Sequence, residues 1–337
     1  MPDRARVFVA TRDDVVRMTL TGTRVGDAQM VLPVAAPQCV AVDPRDPDRV
    51  YVGTFDDGLY ASDDGGSTWR VAWEGIADRR VMSVSVSPSH VVNGVSVVYA
   101  GTEPSNLYRS EDGGKTWQLV PELRQLPSEP RWSFPPRPWT HHVRTIALHA
   151  TDPDSLAVGI ELGGVMRSRD GGATWIDHNP EAHSDAHQLL THPLAPERLY
   201  EVAGQGIAVS PDRGESWYRL DAGLDRHYAW ATAADPADPD LWYASISRGP
   251  YAAHSRGDGQ SLLLRSRGNG WSAIDRWGDD PALRSMPYAL AALPGQPDRL
   301  LVGLRGGSML VTGDAGETWD RLDSALADVI ALAVAPG

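Results

Sequence analysis

The sequence is poor in cysteine, phenylalanine and positive charge, and it has no long apolar run. A single cysteine, Cys39, stands among 337 residues, so an intrachain disulfide is excluded. Three Phe against 12 Trp is an unusual aromatic balance and predicts that Trp sits in a repeated motif. Lys and Arg total 31 against 44 Asp and Glu, a formal charge of −13. A chain this acidic repels phosphate backbones and anionic headgroups, so neither nucleic acid nor a membrane surface is expected as a partner. No run of about 18 apolar residues is present. The first residues, Met1-Pro2-Asp3-Arg4-Ala5-Arg6, lead straight into the strand-like Val7-Phe8-Val9-Ala10 without an apolar leader segment. No Asn-x-Ser/Thr acceptor occurs. Together these features set the expectation of a cytoplasmic chain.

What is abundant is a motif. It reads Ser62-Asp63-Asp64-Gly65-Gly66-Ser67-Thr68-Trp69 and returns as Ser110-Glu111-Asp112-Gly113-Gly114-Lys115-Thr116-Trp117 and Ser168-Arg169-Asp170-Gly171-Gly172-Ala173-Thr174-Trp175. Two looser copies follow, Ser210-Pro211-Asp212-Arg213-Gly214-Glu215-Ser216-Trp217 and Thr312-Gly313-Asp314-Ala315-Gly316-Glu317-Thr318-Trp319. A worn copy without the acid stands at Ser266-Arg267-Gly268-Asn269-Gly270-Trp271. The motif has the chemistry of a hairpin turn: Asp accepts backbone N–H bonds, Gly supplies positive φ, and Trp covers the space between sheets. The acids Asp64, Asp112, Asp170, Asp212 and Asp314 are therefore read as structural.

These residues resemble the Asp-box, or BNR, repeat of sialidases, xyloglucan-cleaving glycosidases, sortilin-type receptors and photosystem II assembly factors. The resemblance implies a β-propeller and leaves function open, because one fold carries many functions. Each unit between boxes holds an apolar strand, a turn, a second strand, a short turn and a third strand, then the box and a fourth strand. Four strands in about 45 residues is the size of a propeller blade. Seven inner strands are predicted: Cys39–Val42, Met82–Val86, Arg144–Leu148, Gln188–Thr191, Ala229–Ala233, Tyr288–Leu293 and Val329–Val334. The last lacks a box after it, whereas Val7–Thr11 and Val15–Leu20 lack an inner strand before them. The expected fold is all-β: a seven-bladed β-propeller of four-stranded antiparallel blades forming one domain over 1–337. Residues 1–35 and 326–337 would share the closing blade and leave no free edge.

The box joins strands three and four, so links from two to three and from four to the next blade lie on the opposite face. In propeller enzymes that opposite face carries the site. The two-to-three links hold Arg12-Asp13-Asp14, Asp56-Asp57, Glu103, Glu161, Gln205 and Arg305, and blade 5 has a longer one through Arg248, Tyr251, His254 and Arg256. A Pro- and aromatic-rich insertion, Pro130 to His142 with Trp139 in it, precedes blade 3 and reads as a rim or lid.

Histidine is the strongest constellation there. His141 and His142 lead into blade 3, His183 and His187 into blade 4, and His227 into blade 5. Aligned on shared positions, His187 falls level with Arg144, Trp230 and Tyr288, and His142 and Tyr228 fall two residues higher. His with carboxylate suits one divalent transition metal, so His142, His187 and His227 are a candidate ligand set, with Glu161 and Asp185 beside them. A metal-free ligand site and a merely hydrated channel stay open as alternatives. Without metal, His187 or His227 with Tyr228 or Tyr288 would serve as acid and base. Candidate ligand contacts are Arg144, Trp230, Arg248, Arg305, Glu161 and Trp139, with Arg256 and Arg284 as further anion holders. Asp13-Asp14 and Asp56-Asp57 fit hairpin turns better than paired catalytic carboxylates, and Cys39 is expected buried on an inner strand.

Three functions follow. The first is a propeller binding a small polar ligand or a protein partner on the face opposite the boxes, which is what the resemblance to receptors and assembly factors implies. The alternative is a metal-dependent hydrolase or lyase using the histidines. A glycoside hydrolase ranks third: the sialidase Arg-Ile-Pro segment is absent, and the xyloglucan-cleaving enzymes use two propellers where this chain has one.

Overall fold

The structure is a computed structural model and describes residues 4–255, 257–268, 270–274, 284–322 and 326–336. Arg256, one expected anion holder, and Asn269 of the worn box lie outside the described residues. The described strands form seven antiparallel sheets, the expected blades. All seven inner strands are found, as Pro37–Val42, Arg80–Val92, Val143–Leu148, Ala186–His192, Tyr228–Asp235, Pro287–Ala292 and Val329–Pro336. They open blades 1 to 6 and the closing blade in that order. Two compact units can be described within the chain, 38–220 and 1–37 with 221–337.

The unit 38–220 holds blades 1 to 4. Second strands carry the most deeply buried side chains, with Tyr51, Tyr99 and Tyr200 all within 1% exposure. Two residues after Tyr51 and Tyr99 come Gly53 and Gly101, where the next blade's inner strand presses in. A Cβ on Gly53 would lie 2.8 Å from Val81, and one on Gly101 would lie 2.5 Å from Val143. Glycine is required at these positions by close approach, so blades meet backbone to side chain. Blade 3 departs from four strands: its fourth is reduced to one bridge, Arg167 to Ile176. The chain turns away there because Asp177 is drawn to Ser128, accepting its N–H (3.0 Å) and its hydroxyl (2.5 Å).

The unit made of 1–37 and 221–337 holds blades 5 and 6 and the closing blade. The C-terminal strand Val329–Pro336 pairs with Arg4–Thr11 in the register Val7 to Val334 and Val9 to Leu332. Val15–Thr21 and Arg24–Leu32 complete that sheet. Val7, Val9, Met18, Leu20 and Val329 are buried together in one cluster, which ties the two chain ends into one sheet. Gly303 repeats the packing rule of the other unit, with a Cβ there only 2.4 Å from Val329.

All five full boxes close in one way. In the first, Asp64 Oδ1 accepts the Thr68 N–H (2.8 Å) and the Ser62 hydroxyl (2.8 Å), and Oδ2 accepts the Thr68 hydroxyl (2.7 Å). Ser62 Oγ also accepts the Gly66 N–H at 2.8 Å. The same bonds recur around Asp112, Asp170, Asp212 and Asp314. Satisfied this way, the box carboxylates titrate below their ordinary range, Asp64 at about 2 through the Thr68 side-chain and backbone bonds. Among the described residues, the worn copy keeps Ser266 Oγ accepting the Gly268 N–H at 3.2 Å.

Candidate functional site

Two polar clusters form at blade ends opposite the boxes, one in each unit. In 38–220 the insertion before blade 3 is anchored by charge. Glu103, with its side chain 1% exposed, accepts Arg137 Nε (2.8 Å) and Nη2 (2.5 Å) and Arg80 Nη1 (3.1 Å). Both guanidiniums lie over the Phe55 ring, at 4.7 and 4.9 Å, and Arg137 also covers Phe134 at 4.6 Å. Trp132 is buried and donates its indole N–H to Ser128 Oγ at 2.9 Å. This packing holds the segment so that His141 and His142 enter blade 3 in fixed orientations. The expected rim residue Trp139 stands out from it, 78% exposed.

His142, 2% exposed, donates from Nε2 to Glu161 Oε2 at 2.9 Å, and its Nδ1 lies 3.7 Å from Glu103. Arg144 Nε lies 3.7 Å from the same Glu161 oxygen. Across from Glu161, the start of blade 4 supplies Asp185 and His187, whose Oδ1 and Nε2 are 3.7 Å apart. Glu161, Asp185 and His187 offer ligand atoms all within 4.8 Å of one another. Burial alone would push Glu161 up, but the His142 hydrogen bond and the charges of His142, His187 and Arg144 hold it at about 2. Asp185 goes the other way, to about 7, through burial first and then the charge of Glu161. Behind them Glu201, fully buried, accepts the His183 N–H at 3.1 Å and is pushed up to about 8 by burial.

In the other unit the expected residues Tyr228, Trp230, Tyr288 and Arg305 come together around a residue that the sequence reading did not put to use. The link between strands two and three of blade 5 is fourteen residues, 248–261, against two to four in the other blades. Its one-turn helix Pro250–Ala253 sets His254 between two tyrosines. Tyr228 Oη lies 2.7 Å from His254 Nε2, and Tyr288 Oη meets Nδ1. Arg305 Nη1 donates to Tyr288 Oη at 2.7 Å. The Trp230 ring stands edge-on to His254 at 4.8 Å and forms the wall. Arginine only donates, so Tyr288 accepts from Arg305 and keeps its own proton available for His254 Nδ1. In that order His254 carries its proton on Nε2 and donates it to Tyr228; in the reverse order Nδ1 donates to Tyr288 and Tyr228 donates to Nε2. The length of the link was legible in sequence, but which of its side chains turns inward was not.

The remaining expectations fall outside these clusters. His227, grouped with His142 and His187 in the sequence reading, belongs to the other unit, is half exposed, and lies 3.3 Å from Asp221. Arg248 is largely exposed, 3.5 Å from Asp225. Asp14 accepts the Thr11 hydroxyl at 2.6 Å, and Asp57 accepts the Tyr60 hydroxyl while its N–H bonds Thr54 Oγ1 at 2.9 Å, both as turn residues. Burial of the Cys39 thiol pushes it up to about 12, which removes it as a nucleophile at neutral pH. Among the described residues no helix is long and apolar enough to cross a membrane.

The family model of the BNR/Asp-box repeat matches residues 108–119, around the second box. No curated protein matches the chain. Among solved structures, an ancestral GH74 enzyme is similar at 17% identity, TM-score 0.63, over 85% of this chain and 38% of that one. The GH74 xyloglucanase of Xanthomonas campestris is similar at 18% identity, TM-score 0.61, over 85% and 45%. YCF48 bound to D1 peptide is similar at 18% identity, TM-score 0.59, over 86% and 83%. The chain thus spans less than half the length of the two GH74 proteins. At such identities the likeness is one of fold.

Proposed function

We propose that this chain, an Asp-box repeat β-propeller, is a binding protein that takes a small polar ligand or a peptide segment at the Tyr228–His254–Tyr288–Arg305 chain. The observation that carries this reading is the blade-5 link. It is several times longer than its counterparts, and its inward histidine is held on both ring nitrogens. No blade needs such a link for its ladder. Rigid aromatic walls with a few oriented donors are the usual make-up of a ligand site. Arg305 and the tyrosine hydroxyls suit a carboxylate or a backbone carbonyl. A peptide is included because YCF48, of similar fold, has been solved with one. The acidic balance, −13 overall, argues against nucleic acid and anionic membranes.

The test is ligand-observed NMR with hydroxy acids, uronic acids, xyloglucan oligosaccharides and short peptides, on wild type and His254→Ala. Binding of one class, lost in the variant while the fold is kept, supports the reading. Binding unaffected by His254→Ala, or none across the panel, refutes it.

One observation favours an enzyme as second reading. The chain from Tyr288 through His254 to Tyr228 is able to pass a proton, with Arg305 holding Tyr288 in place, as elimination or hydrolysis requires. Product appearing in the same NMR samples, and lost in Tyr228→Phe, would put this reading first. Xyloglucan cleavage is the weakest of the three, and the oligosaccharide arm of the panel tests it.

A further inference from the structure

We propose that Glu161, Asp185 and His187 form a binding site for one divalent first-row transition ion, zinc or manganese, in the unit 38–220. This site is separate from the Tyr228–His254 chain and does not rest on a ligand binding there.

The donor set is mixed, one imidazole and two carboxylates, which suits these ions. Its spacing fits as well. Ligands about 2.0–2.2 Å from a tetrahedral ion lie about 3.4 Å from one another, and the Asp185 Oδ1 to His187 Nε2 separation is already 3.7 Å. The third donor falls within the same 4.8 Å limit, so the side chains have to close by at most about 1.4 Å to reach the separation of tetrahedral ligands.

Three further features point to a cation. Asp185 Oδ1 is a buried oxygen that accepts no hydrogen bond from the described residues, and a buried acceptor without a donor is an acceptor that a cation satisfies. Glu161 makes its contacts with His142 and Arg144 through Oε2 alone. Oε1 remains for an ion while His142 orients the carboxylate from outside, the usual arrangement of a second coordination layer. Finally, Asp185 is backed by main chain: a Cβ on Gly204 would lie 1.9 Å from Asp185 Oδ2. The Arg144 guanidinium offsets one of the two carboxylate charges and leaves one net negative charge for the ion.

Isothermal titration of chelator-stripped full-length protein with ZnCl2 and with MnCl2 tests the site. One equivalent is expected for at least one ion, weakened at least tenfold in Asp185→Asn and in His187→Ala and unchanged in His254→Ala. His142→Gln should weaken it by about 10–100-fold, as loss of an orienting outer partner does. Circular dichroism confirms that each variant is folded. A second measurement needs no variant: nitrogen-resolved NMR of the histidine rings in wild type at one equivalent of Zn2+. Movement of the His187 signal supports the site. Movement confined to a surface histidine such as His227, absence of saturable binding, or binding unchanged by both ligand substitutions overturns it.

Discussion

The clusters at the ends of blades 3 and 4 and of blades 5 and 6 occupy equivalent places in the repeat and have opposite chemistry. Both are built from the first residues of inner strands and the links between strands two and three. The first is ionic: Glu103 holds Arg80 and Arg137, and Glu161 lies among His142, Arg144, Asp185 and His187. The second is a file of neutral rings ending on one guanidinium. Repetition fixes where polar side chains collect but not what they are, so function on this scaffold is decided by about two positions per blade and by link length. The difference is also energetic. Breaking an ionic cluster leaves a buried charge behind, whereas breaking the neutral one leaves only a dipole.

The largest expected effect follows from that contrast. Glu103→Ala would remove the shared acceptor of two guanidiniums that are themselves part-exposed, and loss of such charge-assisted hydrogen bonds costs about 1.5–3 kcal/mol. Denaturant unfolding should show that loss, together with release of the insertion that carries His141 and His142. A loss under about 1 kcal/mol would mean that Arg80 and Arg137 are held by Asp56 and the Phe rings instead, and the ionic cluster would be no costlier to break than the neutral one.

Glu201 yields a pH-dependent difference. Its carboxyl is raised to about 8 by burial, against the opposing His183 N–H and Arg219 charge, from an ordinary value of 4.5. Between these values the unfolded chain releases a proton that the folded chain keeps, so stability is complete below about pH 4.5 and falls as pH rises towards 8. Glu201→Gln is neutral in both states. It should match wild type near pH 4.5 and exceed it by a few kcal/mol near pH 8. Parallel stability curves for the two proteins would show that Glu201 is ionised in the fold. A smaller effect is expected for Gly204→Ala. The new methyl would overlap Asp185 Oδ2, costing about 1–3 kcal/mol and moving an acid that both the ionic cluster and the proposed ion site use. Unchanged stability in urea would mean that Asp185 turns aside freely and is not fixed where it stands.

Much of the fold was legible because it repeats. Five recurring boxes set the turns, and the seven apolar inner strands fell where expected, with some ends shifted by up to six residues. Outer strands were not legible in the same way. Arg24–Leu32 is exposed over most of its length and shows no apolar alternation, and the fourth strand of blade 3 gives way to the contact between Asp177 and Ser128. Of the candidate sites, residues on inner strands were found together in each unit, since strand periodicity fixes their level: Arg144 with His187 and Glu161, and Trp230 with Tyr228 and Tyr288. Short links of two to four residues kept Glu161 and Arg305 at the same level, but longer or packed links hid their residues. His254 is placed by a helical turn of four residues that carries no periodic signal. Glu103 looks like any link acid until Arg80 and Arg137 are seen to converge on it.

The smallest expected effect sharpens the neutral side of the comparison. Tyr288→Phe removes one hydroxyl that accepts from Arg305 and donates to His254. The guanidinium still has Asp328, whose Oδ2 lies 3.9 Å from Arg305 Nε, so no charge is stranded and the cost should be about 1 kcal/mol, that of an ordinary hydrogen bond. The informative readout is the histidine. With Tyr288 donating to Nδ1, the wild-type ring carries its proton on Nε2, a tautomer that long-range nitrogen–proton NMR distinguishes directly. In Tyr288→Phe the donor to Nδ1 is gone and the preference should relax towards a mixture. If the wild-type ring instead carries its proton on Nδ1, the order runs in reverse: His254 donates to Tyr288, which also accepts from Arg305, and Tyr228 becomes a donor to the ring. A ligand carboxylate would then find Tyr228 turned away from it, and the binding reading would have to move to Arg305 and Trp230.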